Sequence, residues 1–181
     1  MLTTPIRQRG VNIIELMVVI SIVAIVMAIG VPQLQSWIAT SRVSVKAQAV
    51  LNGLQLARAE ALRRNARVAF TLAVDSSWSI GCVTFVADND GDGLVDCPAI
   101  IQSKSADEGG TVSITLAGGA TTATFTGLGL TAPNADGSAT LSRADFSTTG
   151  TTQTYRVLLT TGGQSRLCDP AVVTAGSPNL C

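Results

Sequence analysis

The densest cluster of ligating side chains in this 181-residue sequence is Asp88, Asp90, Asp92 and Asp96, four carboxylates within nine residues. Aspartates at positions one, three and five, with Gly93 at six, reproduce the first half of an EF-hand loop. There the turn-forming glycine lets carboxylates converge on one calcium ion. The pattern breaks at position twelve, where Ala99 stands in place of a bidentate glutamate, and Asp96 at position nine is the nearest compensation. Two readings stay open: a calcium site, and a hairpin loop whose charges are solvated. Mutual repulsion among four carboxylates favours a cation nearby. Cys82 and Cys97 bracket the loop, and closing roughly 15 residues is worth about 3 kcal/mol in the chain-entropy account.

Enzyme chemistry finds little support. The sequence has no histidine, so Ser-His and Cys-His nucleophiles are excluded. No glycine-rich phosphate cradle occurs, and the carboxylates crowd one loop instead of flanking a cleft. The four cysteines, Cys82, Cys97, Cys168 and Cys181, lack the paired spacing of a zinc site. An even count reads as two disulfides, with three connectivities open in principle and proximity favouring Cys82–Cys97 and Cys168–Cys181. Disulfides point to an oxidising compartment.

The other candidate chemistry is a carboxylate inside an apolar run. Glu15 lies near the start of a stretch from Val11 to Pro32 that is otherwise free of charge. About 20 apolar residues span roughly 30 Å of hydrocarbon as a helix. A charge at the centre of such a helix costs about 2.5–3.5 kcal/mol on insertion scales, so an intramembrane glutamate is a functional candidate by default, the alternative being a plain anchor whose Glu15 sits at the interface. Arg7 and Arg9 precede the run, which places the following domain on the outer side of the membrane. No small-residue cleavage site follows the run, so the segment stays as an anchor and is not a conventional secretory signal.

The stretch Gly10-Val11-Asn12-Ile13-Ile14-Glu15-Leu16-Met17-Val18-Val19-Ile20 resembles the class III signal sequence of type IV pilins and type II secretion pseudopilins. The resemblance implies cleavage after Gly10 by a prepilin peptidase and methylation of the new amino terminus at Val11. It also implies that Glu15 is an assembly contact, pairing with that amine on a neighbouring subunit. Val11 departs from the usual phenylalanine, and Asn12 from the usual Thr or Ser. Pro32 falls where pilin helices often kink. Leu54–Asn65, together with the order of elements, resembles the GspH/FimT family of minor pilins. Implied partners are other pilins or pseudopilins, an inner-membrane assembly platform and, in some members, DNA. The DNA-binding members carry a Gly-Arg-x-Arg tail; here Gly163 and Arg166 match, while Gln164 replaces the first arginine. Loss of one phosphate contact lowers affinity and flattens its salt dependence. Arg143 and Arg156 could add charge if the strands bring them close. The alternative is a tail that simply closes the β-domain. The implied location is the bacterial inner membrane, with a periplasmic C-terminal domain, and then a pilus or pseudopilus.

These sites require elements to position them. Val43, Ala47, Val50, Leu54, Ala57 and Ala61 recur at helical spacing, so the helix continues past Pro32 to about residue 65. Its total length is then some 50 residues, or about 75 Å. Arg63, Arg64 and Arg67 suit its C-terminal end, with Glu60 within pairing distance. Val68, Phe70, Leu72 and Val74 alternate with small or polar residues as a strand, turned at Asp75-Ser76-Ser77 into a second strand over 78–86. A second hairpin is expected from 111–116 and 120–126, with later strands at 141–146 and 153–160 and a loop at 133–137. No internal repeat is present. Lys+Arg and Asp+Glu are both 12; removal of Arg7 and Arg9 leaves ten against twelve, a balance that does not advertise nucleic acid. The expected architecture is α+β and type IV pilin-like, a long N-terminal helix packed on an antiparallel β-sheet domain. Its divisions are a leader at 1–10, a membrane or filament-core helix at 11–32, an amphipathic helix at 33–66 and a β-rich domain at 67–181.

Overall fold

The computed structural model describes residues 10, 12–88, 96–106 and 112–181. The chain forms two compact units, one up to Trp37 and one from Ile38 to Cys181. A single helix, α1 (Ile13–Arg64), contributes to both and runs through Pro32. It ends in a Schellman motif. Asn65 adopts a left-handed φ of 47°, its N–H bonds to the Leu62 carbonyl, and the Ala66 N–H bonds to that of Ala61. Asparagine tolerates this conformation better than most residues and frees the helix of its last orphan carbonyls.

The second unit holds the core. The expected helical stripe is buried throughout: Val43, Ala47, Val50, Leu54, Ala57 and Ala61 are each at most 1% exposed. They join one cluster with Phe70, Leu72, Ile80, Phe125, Phe146 and Val157 from the strands. Among the described residues nine strands follow: β1 (Val68–Leu72), β2 (Trp78–Cys82), β3 (Gln102–Lys104), β4 (Val112–Leu116), β5 (Thr122–Phe125), β6 (Thr131–Ala132), β7 (Arg143–Thr148), β8 (Tyr155–Leu159) and β9 (Ser165–Cys168). They form two antiparallel sheets, ordered β3-β2-β1-β5-β6 and β4-β7-β8-β9.

The first hairpin forms as expected, with Leu72 opposite Trp78. Its turn is held by Asp75 Oδ1, which accepts from the Ser77 N–H at 2.9 Å and the Ser77 hydroxyl at 2.6 Å. These same bonds lower the pKa of Asp75. The strands are shorter than the alternation suggested: Val74 lies beyond β1 and is 71% exposed.

The second expected hairpin does not form. β4 pairs with β7, and β5 pairs with β1 in the other sheet. Gly118 and Gly119, both at positive φ in a short 3-10 turn, carry the chain between sheets and do not reverse it within one. The C-terminal tail contains a strand: the turn after β8 uses Gly163 at φ 74° and returns the chain as β9.

Both disulfides join the cysteines that proximity favoured, Cys82–Cys97 and Cys168–Cys181. The loop at 133–137 also packs inward. Asn134 is buried, accepts from the Thr124 hydroxyl at 2.9 Å, and donates to the carbonyls of Thr122 and Ala139.

Helix and first sheet approach each other closely at Gly53. A Cβ there would lie 2.7 Å from Phe70 Cε2 and 3.4 Å from the Trp78 ring. Gly53→Ala is expected to cost about 1–3 kcal/mol through overpacking, lowering the melting temperature by several degrees in a thermal melt followed by circular dichroism.

Candidate functional site

Every described residue from 12 to 38 is exposed, including Ile13 (77%), Ile25 (62%) and Trp37 (68%). The segment is long and apolar enough to cross a membrane. A helix that is apolar on all sides is stable only when lipid or protein surrounds it. Its few polar groups are handled locally: Ser21 donates to the Met17 carbonyl at 2.7 Å, and Ser36 to that of Gln33 at 2.9 Å. Glu15 lies in the first helical turn, where a negative charge complements the unpaired N–H groups of the helix start. The carboxylate is therefore placed at the end of the apolar segment and is exposed for a partner. Gly10 is exposed, and Val11 lies outside the described residues.

Of the aspartate cluster, Asp88 and Asp96 are described, whereas Asp90 and Asp92 lie outside the described residues. Among the described residues, no group of three or more His, Cys, Asp or Glu side chains is placed to hold a metal ion. The base of the loop is firmly built. Cys82–Cys97 closes it, and Val86 and Cys97 exchange two backbone hydrogen bonds at 3.0 Å. Gly81 sits so close to Ala99 that a Cβ would lie 1.8 Å from its carbonyl oxygen. Arg64, at the helix end, donates to the Asp96 carbonyl. One guanidinium is thus seated at Asp96, a link that sequence spacing did not reveal.

The three candidate DNA-contacting arginines do come together on one face of the second sheet. Arg143 is opposite Leu158, which is opposite Arg166, and Arg156 lies opposite Asp145 in the adjacent row. Their charges are largely engaged. Asp145 bridges Arg143 at 3.3 Å and Arg156 at 2.5 Å. Arg166 donates to the carbonyls of Leu180 at 3.2 Å and Cys181 at 2.8 Å, fastening the tail that Cys168–Cys181 closes. Gly163 has a packing role: a Cβ there would lie 1.9 Å from the Gly129 carbonyl oxygen, which itself accepts from Arg58 Nε at 2.9 Å. The consecutive glycines at 162 and 163 were the sequence signal for this tight turn.

An exposed apolar helix carrying one carboxylate in its first turn, continued by an amphipathic half that carries a disulfide-stapled antiparallel domain, defines a membrane-anchored subunit of the pilin type. The family model described as Type II transport protein GspH matches residues 46–163, and the chain belongs to that family. Its members are structural components of pilin-like assemblies, not enzymes. Among solved structures, the type IV minor pilin FimU of Pseudomonas aeruginosa is similar in fold, at 15% identity and a TM-score of 0.50. The match covers 74% of this chain and 96% of that one. The minor pseudopilin EpsH from the Type 2 Secretion System of Vibrio cholerae is 18% identical over 71% of this chain and 98% of its own, with a TM-score of 0.46. Among curated proteins, no sequence relative matches.

Glu60 organises the helix end. It accepts from Arg63 and Arg64, both at 2.8 Å, and these bonds, Arg63's foremost, hold its carboxyl below the ordinary range. A depressed folded pKa gives stability that is present above the unfolded value and lost as pH falls through the folded one. Glu60→Gln is therefore expected to cost up to about 1 kcal/mol at neutral pH. The difference from the parent should vanish in urea melts taken on the acid side of that window.

Proposed function

We propose that this chain is a minor pilin of a type IV pilus. On this reading it is cut after Gly10 by a prepilin peptidase and methylated at Val11. An inner-membrane platform then draws it from the inner membrane into the filament, with its β-domain on the periplasmic side. The observation that carries the reading is the exposed apolar helix with Glu15 in its first turn. A carboxylate transferred to an apolar filament core is costly unless paired, and the amine of a neighbouring Val11 is the natural partner. Such a pair fixes register between subunits more than it adds stability.

A second reading, a minor pseudopilin of a type II secretion system, is favoured by the description of the matching family. Both machines use the same anchor chemistry. DNA reception at a pilus tip draws support from the shared sheet face of Arg143, Arg156 and Arg166, and is weakened by the engagement of all three.

Glu15→Ala is expected to insert into the membrane normally yet enter filaments at least tenfold less, as read by immunoblots of sheared filaments against membrane fractions. Unchanged incorporation would overturn the assembly role. Deletion of the chain is expected to reduce surface pili and twitching; loss of exoprotein secretion with pili intact would instead select the second reading.

Calcium is the proposed ligand of Asp88, Asp90, Asp92 and Asp96, supported by their half EF-hand spacing inside a disulfide-closed loop. Millimolar calcium is expected to raise the melting temperature of the parent and not of Asp90→Asn/Asp92→Asn. No shift in the parent would leave the loop as a plain turn.

A further inference from the structure

An open sheet edge offers unpaired N–H and C=O groups to any strand within reach, so proteins shorten, charge or cover their edges. Three of the four edges here are guarded in that way. β3 is three residues long and ends in Lys104. β6 is two residues long and is followed by Pro133. Its Thr131 also donates to the Thr161 carbonyl, from the backbone N–H at 3.2 Å and the hydroxyl at 3.0 Å. Beside β9 lies the tail: Asp169 bridges to Leu180, and Arg166 holds the carbonyls of Leu180 and Cys181.

β4 has none of these devices. Val112–Leu116 is five residues long and contains neither charge nor proline. Among the described residues its backbone bonds only to β7. Residues of an antiparallel strand turn their N–H and C=O groups alternately to one side and the other. About half of the polar groups of β4 therefore point off the sheet. The apolar cluster also stops at this strand. Val112 is buried, whereas Ile114 and Leu116 pack against the core and are only partly covered. Ser113 and Thr115, on the other face, are exposed. Gly118 and Gly119, just past the strand's end, have open space beside them.

We propose that β4 is the docking edge for a second copy of this chain, whose own β4 adds antiparallel to it with the two Ile114 residues opposite each other. The choice of occupant rests on the pattern of the strand, which reads the same chemically in both directions. In that register Val112 faces the partner's Leu116, and Ser113 faces the partner's Thr115. Apolar side chains meet apolar ones on the core face, covering Ile114 and Leu116. Hydroxyls meet hydroxyls on the other, a favourable cross-strand pairing. No charge enters either row: the nearest on the neighbouring strand are Arg143 and Asp145 of β7, which pair with each other and, through Asp145, with Arg156. Asp107 and Glu108 precede the strand in sequence and lie outside the described residues. A two-fold contact of this kind closes on itself and leaves neither β4 edge open. The inference concerns the β-domain alone and does not rest on the filament reading.

The test uses the full chain in density-matched detergent micelles, followed by sedimentation equilibrium. Ser113→Lys/Thr115→Lys sets like charge against like in both hydroxyl rows, and Ser113→Glu/Thr115→Glu does the same with the opposite sign. Both positions are exposed, so each variant keeps the fold, which circular dichroism checks. The parent is expected to dimerise, and each double variant alone to do so at least tenfold more weakly. An equimolar mixture of the two variants should regain the parent's association, because lysine then faces glutamate in every row. Glu15→Ala and Leu128→Lys should each associate as the parent does, so a failure of the membrane-segment contact is read separately. A monomeric parent, a dimer that both double variants keep, or a mixture no tighter than its components would overturn the proposal. A monomeric parent that binds an alternating Val-Thr peptide would give the edge to a foreign strand and overturn the second copy as its occupant.

Discussion

The β-domain depends on how closely one face of a helix approaches a sheet. Ala47, Gly53, Ala57 and Ala61 keep that face shallow, so Phe70 and Trp78 can lie directly on the helix backbone at Gly53. Aromatics are scarce, at 4% of the chain, and the three fully buried phenylalanines are spent at this junction and behind it. The approach has a cost. Trp78 Nε1 is buried without a hydrogen-bond partner, a penalty of about 1–3 kcal/mol tolerated for the packing of its ring. With the core confined to one face, the periphery relies on staples: one disulfide closing the loop after β2, one closing the tail after β9, and a buried asparagine in the loop after β6.

Charge follows the same division. The helix from residue 38 to its end is basic, whereas residues 65–181 carry ten acidic and five basic side chains. Where the two meet, Arg64 bonds both Glu60 and the carbonyl of Asp96, so the helix terminus anchors the acidic loop as well as the strand that follows. Arg58 does the same for the turn at Gly129. The helix end thus ties down two loops, and its Asn65 cap sets the direction in which the chain enters β1.

Periodicity made the long helix, its buried stripe and the first hairpin legible in the sequence, because each rests on contacts between near neighbours. The order of strands was not legible. The run 112–125 reads as a hairpin by every local rule, yet β4 and β5 find better partners in β7 and β1. Pairing between sheets is decided by which faces can reach the core, and that is a property of the whole domain. The candidate sites divide likewise. Cys82–Cys97 and Cys168–Cys181 followed from proximity in the chain, but the convergence of Arg143, Arg156 and Arg166 required the register of three strands. The neutralising role of Asp145 was hidden for the same reason.

The two halves of α1 solve different association problems. Moving an apolar side chain from lipid to a bundle of apolar helices gains little hydrophobic free energy, since both surroundings are equally dry. Residues such as Ile13, Val18 and Ile25 are therefore compatible with lipid and with a bundle of apolar helices alike. Direction and register must come from groups that differ in energy between the two states. Glu15 is the one ionisable group the segment from 12 to 37 contains, and a carboxylate among apolar neighbours is the group whose energy depends most on whether a counter-charge is at hand. The second half, from Ile38, buries one face against the sheets, and there removal of apolar surface from water does drive packing. The same helix thus carries one segment that apolar surroundings accept on every side and one that is held by burial of a single face.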